Sequence, residues 1–247
     1  MASAPSKVAI VVGASGGIGG AVVDQLSYRR DVEKVFAVSR KISEVADPKV
    51  TPVKSGSTEG DIQRAVSRIK ESVRDYEALA FEVVVATGIL HDGSLQPEKR
   101  IESLDNESAL RVFEVNTLLP MLWLKALSSL FSKKTAVSVA VLSARVGSIG
   151  DNGLGGWYSY RASKAALNMM LKTYAVESAR RFPLMKLISF HPGTTETALS
   201  EPFRSNVPDK KLFTPEFVAQ CLATVMSEAE VDGMLSFLAW DGKAIDW

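Results

Sequence analysis

Residues 7–20 read Lys-Val-Ala-Ile-Val-Val-Gly-Ala-Ser-Gly-Gly-Ile-Gly-Gly. The five residues after Lys7 are apolar and rich in β-branched side chains, which predicts a buried strand. Gly13, Gly17 and Gly19 then form the pattern G-x-x-x-G-x-G, followed by a helical apolar stripe. In the order strand, glycine turn, helix, such a loop brings backbone N–H groups and the positive end of a helix dipole to a pyrophosphate. The stretch therefore predicts a dinucleotide site, and the alternative is an ordinary glycine-rich turn.

A second apolar strand, at residues 35–38, ends in Ser39 and Arg40. In doubly wound folds this position meets the adenosine ribose, where an acidic residue binds the 2′-hydroxyl of NAD and an arginine accommodates the 2′-phosphate of NADP. No acidic residue occupies the position. Arg40, with a hydrogen bond from Ser39, therefore predicts NADP (NADPH) rather than NAD, and the alternative is a solvated surface arginine.

Strand-like and helix-like segments alternate along the whole chain. This alternation predicts right-handed βαβ units. We expect an α/β fold: one Rossmann-type domain over residues 1–247, with a doubly wound parallel sheet of about seven strands and helices on both faces. The predicted strands are residues 8–12, 35–38, 50–53, 83–86, 137–142, 187–190 and 234–238. The predicted helices are residues 19–29, 59–74, 107–131, 160–182 and 215–228.

Composition excludes several classes of protein. The 247 residues are 46% hydrophobic, enough for one large core, and the net charge of +1 predicts neither nucleic-acid nor membrane binding. No apolar run reaches the ~18 residues that span a bilayer. Cys221 is the only cysteine, which predicts a reducing, cytoplasmic location. His91 and His191 lie far apart in the sequence, and we expect no metal.

Tyr160 and Lys164 are four residues apart in a predicted helix, so their side chains share one face. An unperturbed tyrosine has a pKa near ~10. A neighbouring ammonium favours the phenolate, so we expect Lys164 to bring the pKa of Tyr160 toward neutral pH, where tyrosine can act as a general acid or base. Taken alone, the pair is also compatible with a solvated helix face.

With the glycine loop at one end and this pair at the other, the chain resembles the short-chain dehydrogenase/reductase family over nearly its whole length. Further segments carry the resemblance: Asn116 in Glu-Val-Asn-Thr-Leu, the run Tyr160-Arg-Ala-Ser-Lys-Ala-Ala-Leu-Asn, and His191-Pro-Gly-Thr. Within the family, Gly155-Gly-Trp-Tyr-Ser-Tyr and Trp240-Asp-Gly are similar to the C-factor-like and sniffer-like carbonyl reductases.

Three positions depart from the family pattern. The usual Asn-Ala-Gly is Ala86-Thr-Gly, and Ser55 or a neighbour replaces the aspartate near the adenine. Aligned on Gly147, the catalytic serine position is Ala144, and Ser143 lies one residue earlier. Successive strand residues point to opposite faces, so Ser143 needs a bulge or turn to reach the site. Ser143 is the favoured candidate, and Ser148 is the second.

The resemblance implies hydride transfer between a nicotinamide cofactor and a small carbonyl or alcohol substrate. The implied catalytic set is Asn116 (holding a water), Ser143 (orienting the carbonyl oxygen), Tyr160 (general acid/base) and Lys164. The implied cofactor-binding residues are Gly13, Ser15, Gly16, Gly17, Ile18, Gly19, Ser39, Arg40, Ala86, Thr87, Gly88, Tyr160, Lys164, Pro192, Gly193, Thr195 and Thr197. A homodimer or homotetramer through the active-site helix is also implied. The rival hypothesis is a nucleotide-binding regulatory or signalling protein with little catalysis, which the changes at Ala86 and Ala144 favour.

Overall fold

The chain alternates between strands and helices, as its pattern predicts. The computed structural model describes residues 6–41, 45–76, 79–206, 208 and 211–247. The strands are β1 (Ser6–Val12), β2 (Val32–Ser39), β3 (Val50–Lys54), β4 (Leu79–Val85), β5 (Ala136–Leu142), β6 (Met185–His191), β7 (Thr194–Thr195), β8 (Leu212–Phe213) and β9 (Leu235–Ala239). The helices are α1 (Gly17–Ser27), α2 (Glu59–Ser72), α3 (Asn106–Phe113), α4 (Leu119–Leu127), α5 (Tyr158–Arg181) and α6 (Pro215–Glu228).

Seven strands form one parallel sheet in the order β3-β2-β1-β4-β5-β6-β9. The order reverses between β1 and β4, and in open α/β sheets ligands bind in the crevice at such a point, beyond the carboxyl ends of the strands. The predicted Rossmann-type fold is therefore confirmed. Strands β7 and β8 pair with each other outside this sheet, in a segment where the pattern predicted no strand.

Both faces of the sheet are buried, which explains why the central strands are continuously apolar rather than alternating. In β1, Val8 and Ile10 pack in a core beneath α2, α4 and α5, while Ala9 and Val11 pack in a second core beneath α1 and α6. Each helix thus buries one stripe against the sheet, and the strand ends remain at an open edge.

The predicted helix at residues 107–131 is divided into segments. Between α3 and α4, Glu114–Leu118 winds as a π-helix, and Ser128–Leu130 forms a 3-10 turn. Hydrophobic spacing gives no signal of this break, because the buried side chains within it are the polar Asn116 and Thr117. A π-turn inside a helix is uncommon and often lies at a functional site, and here it contains Asn116.

Three helices start with a capping side chain of their own. Thr58 accepts the N–H of Asp61 at the start of α2, Asp105 accepts the N–H of Ser108 in α3, and Thr214 caps α6 in the same way. These caps satisfy backbone N–H groups that lack partners inside the helix. Helix α5 starts differently: its N-cap residue provides no side-chain hydrogen bond.

Candidate active site

The glycine loop lies between β1 and α1, beside the point where the strand order reverses. Gly13 has φ = +88°, and a methyl group added there would lie 2.9 Å from the carbonyl oxygen of Ala86. A methyl group on Gly17 would lie 2.7 Å from a carbon of Thr197. Side chains at these positions would collide with the residues after β4 or β6, so the loop requires glycine for close backbone approach.

The first turn of α1 is open to a ligand. Ser15, Gly16 and Gly17 are exposed, while Ile18 is partly buried against the core beneath α1 and α6. Gly19 is buried, and any side chain there would collide with the carbonyl of Gly13. The exposed turn combines free helix N–H groups with the positive dipole end, an arrangement suited to phosphate.

The predicted adenosine-binding residues follow β2, next to the glycine loop. The N–H groups of Gly13 and Ala14 both donate to the carbonyl of Val38, at 2.9 and 3.0 Å. The Ser39 hydroxyl donates to the carbonyl of Lys41, and Arg40 is exposed. The strand end therefore holds Arg40 at the rim of the cleft with its charged group in solvent.

The departure at Ala86-Thr87-Gly88 lies in the middle of the site. The Ala86 N–H donates to the carbonyl of Val12 at 2.8 Å. The hydroxyl of Thr87 is buried and has no hydrogen-bond partner among the described residues. Gly88 is exposed, and a methyl group on it would lie 3.6 Å from Asn116 Oδ1 and 3.8 Å from Lys164 Nζ. The cofactor side and the catalytic side therefore meet at Gly88.

Asn116 is fully buried and joins three parts of the chain. Its Oδ1 accepts the N–H of Ile89 at 2.7 Å, and its Nδ2 donates to the carbonyl of Ile89 at 2.8 Å and to Ser163 Oγ at 3.2 Å. These bonds tie the π-turn to the segment after β4 and to α5. Asn116 thus orients the helix that carries Tyr160.

Tyr160 and Lys164 share a face of α5, as predicted. Lys164 Nζ lies 6.0 Å from the centroid of the Tyr160 ring and donates to the carbonyl of Leu142 at 2.9 Å. Lys164 is buried, and Tyr160 is partly exposed. The end of β5 therefore holds the ammonium between the phenol ring and Gly88.

Burial controls the ionisation of both groups. It raises the pKa of the Tyr160 phenol to about 12 and lowers the pKa of the Lys164 ammonium to about 8. The prediction that Lys164 lowers the pKa of Tyr160 is wrong for this arrangement, because loss of hydration disfavours the charged form of each group. At neutral pH Tyr160 therefore carries its proton.

The two serine candidates are both buried, in different surroundings. Ser143 Oγ donates to Asn168 Oδ1 at 2.8 Å, and Ser189 Oγ donates to the same oxygen at 2.7 Å. The Ser143 hydroxyl thus faces the underside of α5. Ser148 Oγ accepts the N–H of Asp151 at 3.0 Å, which leaves its own proton available for donation.

The segment after β6 closes the site from the other side. Gly193, next to Pro192, has φ = +74°, and a methyl group on it would lie 2.6 Å from the ring of Phe213. Thr195 is buried, and Thr197 approaches Gly17 of the glycine loop. The predicted cofactor residues that follow β1 and those that follow β6 therefore lie side by side.

His191 ends β6 with a buried Nδ1 atom that has no hydrogen-bond partner among the described residues. Burial, followed by the positive charge of Arg145, lowers the pKa of His191 to about 4. The imidazole is therefore neutral at physiological pH.

Four residues that the sequence pattern did not single out individually are connected to Tyr160 and the start of α5. The rings of Trp157 and Tyr160 are 6.0 Å apart, those of Trp157 and Phe203 are 5.1 Å apart, and those of Phe203 and His91 are 5.6 Å apart. Glu98 is buried, and its carboxylate accepts the N–H of Ser159 at 3.2 and 3.3 Å. His91 and Glu98 follow β4, Trp157 precedes α5, and Phe203 follows β7. Because these segments are distant in the sequence, only the glycine pair before Trp157 offered a local signal.

Family comparison agrees with this geometry. The model of the short chain dehydrogenase family matches residues 7–208. A 1-hydroxy-2-glutathionyl-2-methyl-3-butene dehydrogenase of Rhodococcus sp. is 27% identical over 239 residues, covering 96% of this chain and 98% of that protein. A benzil reductase ((S)-benzoin forming) of Bacillus subtilis is 25% identical over 249 residues, covering 92% and 96%.

Solved structures show the same fold. The NADPH-bound carbonyl reductase from chicken fatty liver superposes with a TM-score of 0.84 at 23% identity, covering all of this chain and 96% of that chain. Carbonyl reductase Sniffer of D. melanogaster gives a TM-score of 0.81 at 20% identity, covering 98% and 99%. No helix among the described residues is long and apolar enough to cross a membrane.

Proposed function

Because this chain belongs to the short-chain dehydrogenase/reductase family and is an enzyme of that family, we propose that it is an NADP-dependent oxidoreductase that reduces a small carbonyl compound. One observation carries the proposal: α5 holds Tyr160 and Lys164 on one face, with Lys164 Nζ 3.8 Å from a methyl group placed on Gly88. A proton-carrying phenol, a buried amine and the glycine loop thereby converge on one cleft.

The residues present fit a dinucleotide. Glycine is required by close contact at Gly13 and Gly17, the first turn of α1 is exposed, and the Thr87 hydroxyl is buried with no partner among the described residues. A pyrophosphate would be held by the N–H groups of α1. The full proposed set remains Gly13, Ser15, Gly16, Gly17, Ile18, Gly19, Ser39, Arg40, Ala86, Thr87, Gly88, Tyr160, Lys164, Pro192, Gly193, Thr195 and Thr197. When bound, the reduced nicotinamide supplies the hydride.

Tyr160 is the proposed general acid. Its raised pKa of about 12 keeps the phenol protonated at neutral pH, which is the form that donates a proton to a carbonyl oxygen during reduction. Lys164, with a pKa lowered to about 8, can take up and release a proton near neutral pH and so restore the phenol. Asn116 positions this pair through its bond to Ser163 of the same helix.

The group that orients the substrate oxygen is proposed to be a serine hydroxyl. Ser143 remains the first candidate, although its bond to Asn168 must be exchanged for one to substrate. Ser148 is the second candidate, because its hydroxyl accepts a backbone N–H and retains its proton for donation. Turnover of Ser143→Ala and Ser148→Ala separates them, since only the true donor should lose kcat while keeping its melting temperature.

NADP is proposed over NAD because Arg40 stands exposed after β2, where an acidic residue would select NAD. The chicken fatty liver carbonyl reductase, which shares the fold, binds NADPH. Arg40→Asp should shift the preference toward NADH, while Arg30→Asp, an exposed change at the opposite edge of the sheet, should leave the cofactor ratio unchanged. An unaltered ratio in Arg40→Asp would remove this residue from cofactor selection.

A second candidate function, a nucleotide-binding regulatory protein, is favoured by Ala144 at the usual serine position.

A cytoplasmic location and a homo-oligomeric state are proposed as well. A single cysteine is suited to a reducing cytoplasm, and the exposed side chains of Met169 and Val176 on α5, with 67% and 58% exposure, suit a homodimer or homotetramer.

The experiment combines binding and turnover. Wild type, Tyr160→Phe and the control Tyr158→Phe, an exposed tyrosine of the same helix, are titrated with NADPH and assayed on a panel of ketones and aldehydes. We expect all three to bind NADPH, and we expect only Tyr160→Phe to lose at least about 100-fold in kcat, since general acid catalysis contributes that much. Binding without turnover in wild type would favour the regulatory function, and full turnover in Tyr160→Phe would exclude this tyrosine as the acid.

A further inference from the structure

Three consecutive residues before α5 adopt left-handed backbone conformations. Gly155, Gly156 and Trp157 have φ values of 66°, 65° and 51°. Glycine adopts this region freely, but a Cβ atom makes it unfavourable, and Trp157 is the one non-glycine residue with positive φ in the described part of the chain. Strained residues of this kind persist where the surrounding structure enforces them, and they concentrate at functional sites.

Glu98 holds Trp157 through its backbone carbonyl and holds the first turn of α5 through its buried carboxylate. The backbone carbonyl of Glu98 accepts the N–H of Trp157, while the Glu98 carboxylate accepts the N–H and the hydroxyl of Ser159. Glu98 therefore caps α5 from a distant loop, where a negative charge also complements the helix dipole. Glu98 thus holds both the strained tryptophan and the start of the active-site helix. Its contact with the helix is at Ser159, the residue just before Tyr160.

The enforced conformation places the Trp157 ring in a row of aromatic rings. Tyr160, Trp157, Phe203 and His91 follow one another edge to face, with interplanar angles of 82°, 62° and 71°. His91 follows β4 and donates from Nε2 to the carbonyl of Ala198 at 3.0 Å, which joins its loop to the segment carrying Phe203. The phenol of Tyr160 thus lies at one end of an aromatic wall.

Three arginine side chains near the wall are engaged elsewhere. Arg145 pairs with Asp151 at 3.5 Å, Arg161 donates to the carbonyl of Gly156 at 3.0 Å, and Arg204 donates to the carbonyl of Thr197. A substrate lying along the wall would therefore meet π faces and edges, with these three guanidinium groups held by other partners.

We propose that Trp157 is a specificity-determining residue that binds a flat aromatic ring next to the substrate carbonyl, so that the preferred substrates are uncharged aryl ketones or aldehydes. The inference rests on the proposed carbonyl reduction and adds the substrate class. Within the wall, the ring of Trp157 already packs against the ring of Phe203 at 5.1 Å, which is the kind of contact that a bound aryl group would make. Aromatic pairs gain energy from quadrupole interactions beyond buried area, which a saturated ring of equal size lacks.

The test compares acetophenone with cyclohexyl methyl ketone, which differ in aromaticity but hardly in size. Wild type with NADPH should show a ratio of kcat/KM for the two ketones of about tenfold in favour of acetophenone, and Trp157→Gly should reduce that ratio to about twofold, mainly through KM. Trp157→Phe should retain most of the ratio. Because glycine accepts the left-handed conformation, Trp157→Gly should still unfold in one cooperative thermal transition, which separates loss of the ring from loss of folding.

Phe131→Leu is the matched control, because Phe131 packs in the core with Phe81 and Phe182 at the opposite edge of the sheet. It should leave the ratio unchanged. A wild-type ratio near one, or an undiminished ratio in Trp157→Gly, would overturn the substrate class while leaving carbonyl reduction intact. Bound NADPH with no reduction of either ketone would instead contradict the proposed function and this inference together.

Discussion

Buried charged groups have different partners at the amino ends of the strands and at their carboxyl ends, here called the amino edge and the carboxyl edge of the sheet. Toward the amino ends of the strands, Glu82 accepts two hydrogen bonds from Arg29 at 2.8 and 3.0 Å, and Lys186 pairs with Asp232 at 2.7 Å. At the carboxyl edge, the buried ammonium of Lys164 has a backbone carbonyl as its hydrogen-bond acceptor. At the amino edge each of these buried charges is paired with an opposite charge. At the carboxyl edge the Lys164 ammonium has no charged partner among its hydrogen bonds to the described residues.

The difference separates stability from chemistry. A paired charge recovers part of its lost hydration from its partner, whereas an unpaired one shifts its pKa instead. The pKa values of Tyr160, Lys164 and His191 are shifted mainly by burial, and all three lie at the carboxyl edge. Removing a charged group should therefore lower activity at the carboxyl edge and lower stability at the amino edge.

Lys164→Met should give the largest effect. Loss of the amine should lower kcat by at least about 100-fold, the scale of proton-transfer catalysis. Because methionine needs no hydration, the melting temperature should stay equal or rise. Enzyme assay and thermal unfolding measure the two effects, with Lys172→Met on the same helix as the control. A melting temperature several degrees lower would mean that Lys164 is mainly structural.

Glu82→Gln tests the opposite edge. It removes the buried charge partner of Arg29, which keeps its exposed partner Asp31. The free energy of unfolding should therefore fall by about 2 kcal/mol, while kcat of the folded enzyme stays unchanged. Denaturant titration measures the change. The matched control is Glu71→Gln, whose pair with Arg74 is exposed and should contribute less than about 1 kcal/mol. Equal losses in the two variants would remove the distinction between the pairs.

His191 should make stability depend on pH. Its folded pKa of about 4 lies below the ordinary value of 6.5, so the unfolded chain binds a proton first as the pH falls. Stability should be complete above pH 6.5 and decline as the pH drops toward 4, by about 2 kcal/mol for a partly exposed ring. In His191→Gln the decline should be smaller, measured as the wild-type-minus-variant difference between pH 7.5 and 4.5. A constant difference would show that His191 does not titrate in this way.

Much of the fold was predictable because its signals are local. The apolar run before Gly13, the glycine spacing and the alternation of segments predicted the seven-stranded sheet, and the boundaries of α6 were predicted to the residue. The break at Asn116 was not predicted, because the buried residues of the π-turn, Asn116 and Thr117, are polar and add nothing to the hydrophobic pattern. Strands β7 and β8 were missed because each has two residues and depends on its partner.

The sequence by itself determined the family, the glycine loop, and the spacing of Tyr160 and Lys164, because each depends on residues that are close together along the chain. Tertiary structure alone decided which way the Ser143 hydroxyl points, how burial moves the two pKa values, and how Glu98 holds Trp157 beside Tyr160. The reason is physical: hydration, side-chain direction and long-range hydrogen bonds depend on which distant residues become neighbours, and no local pattern records that.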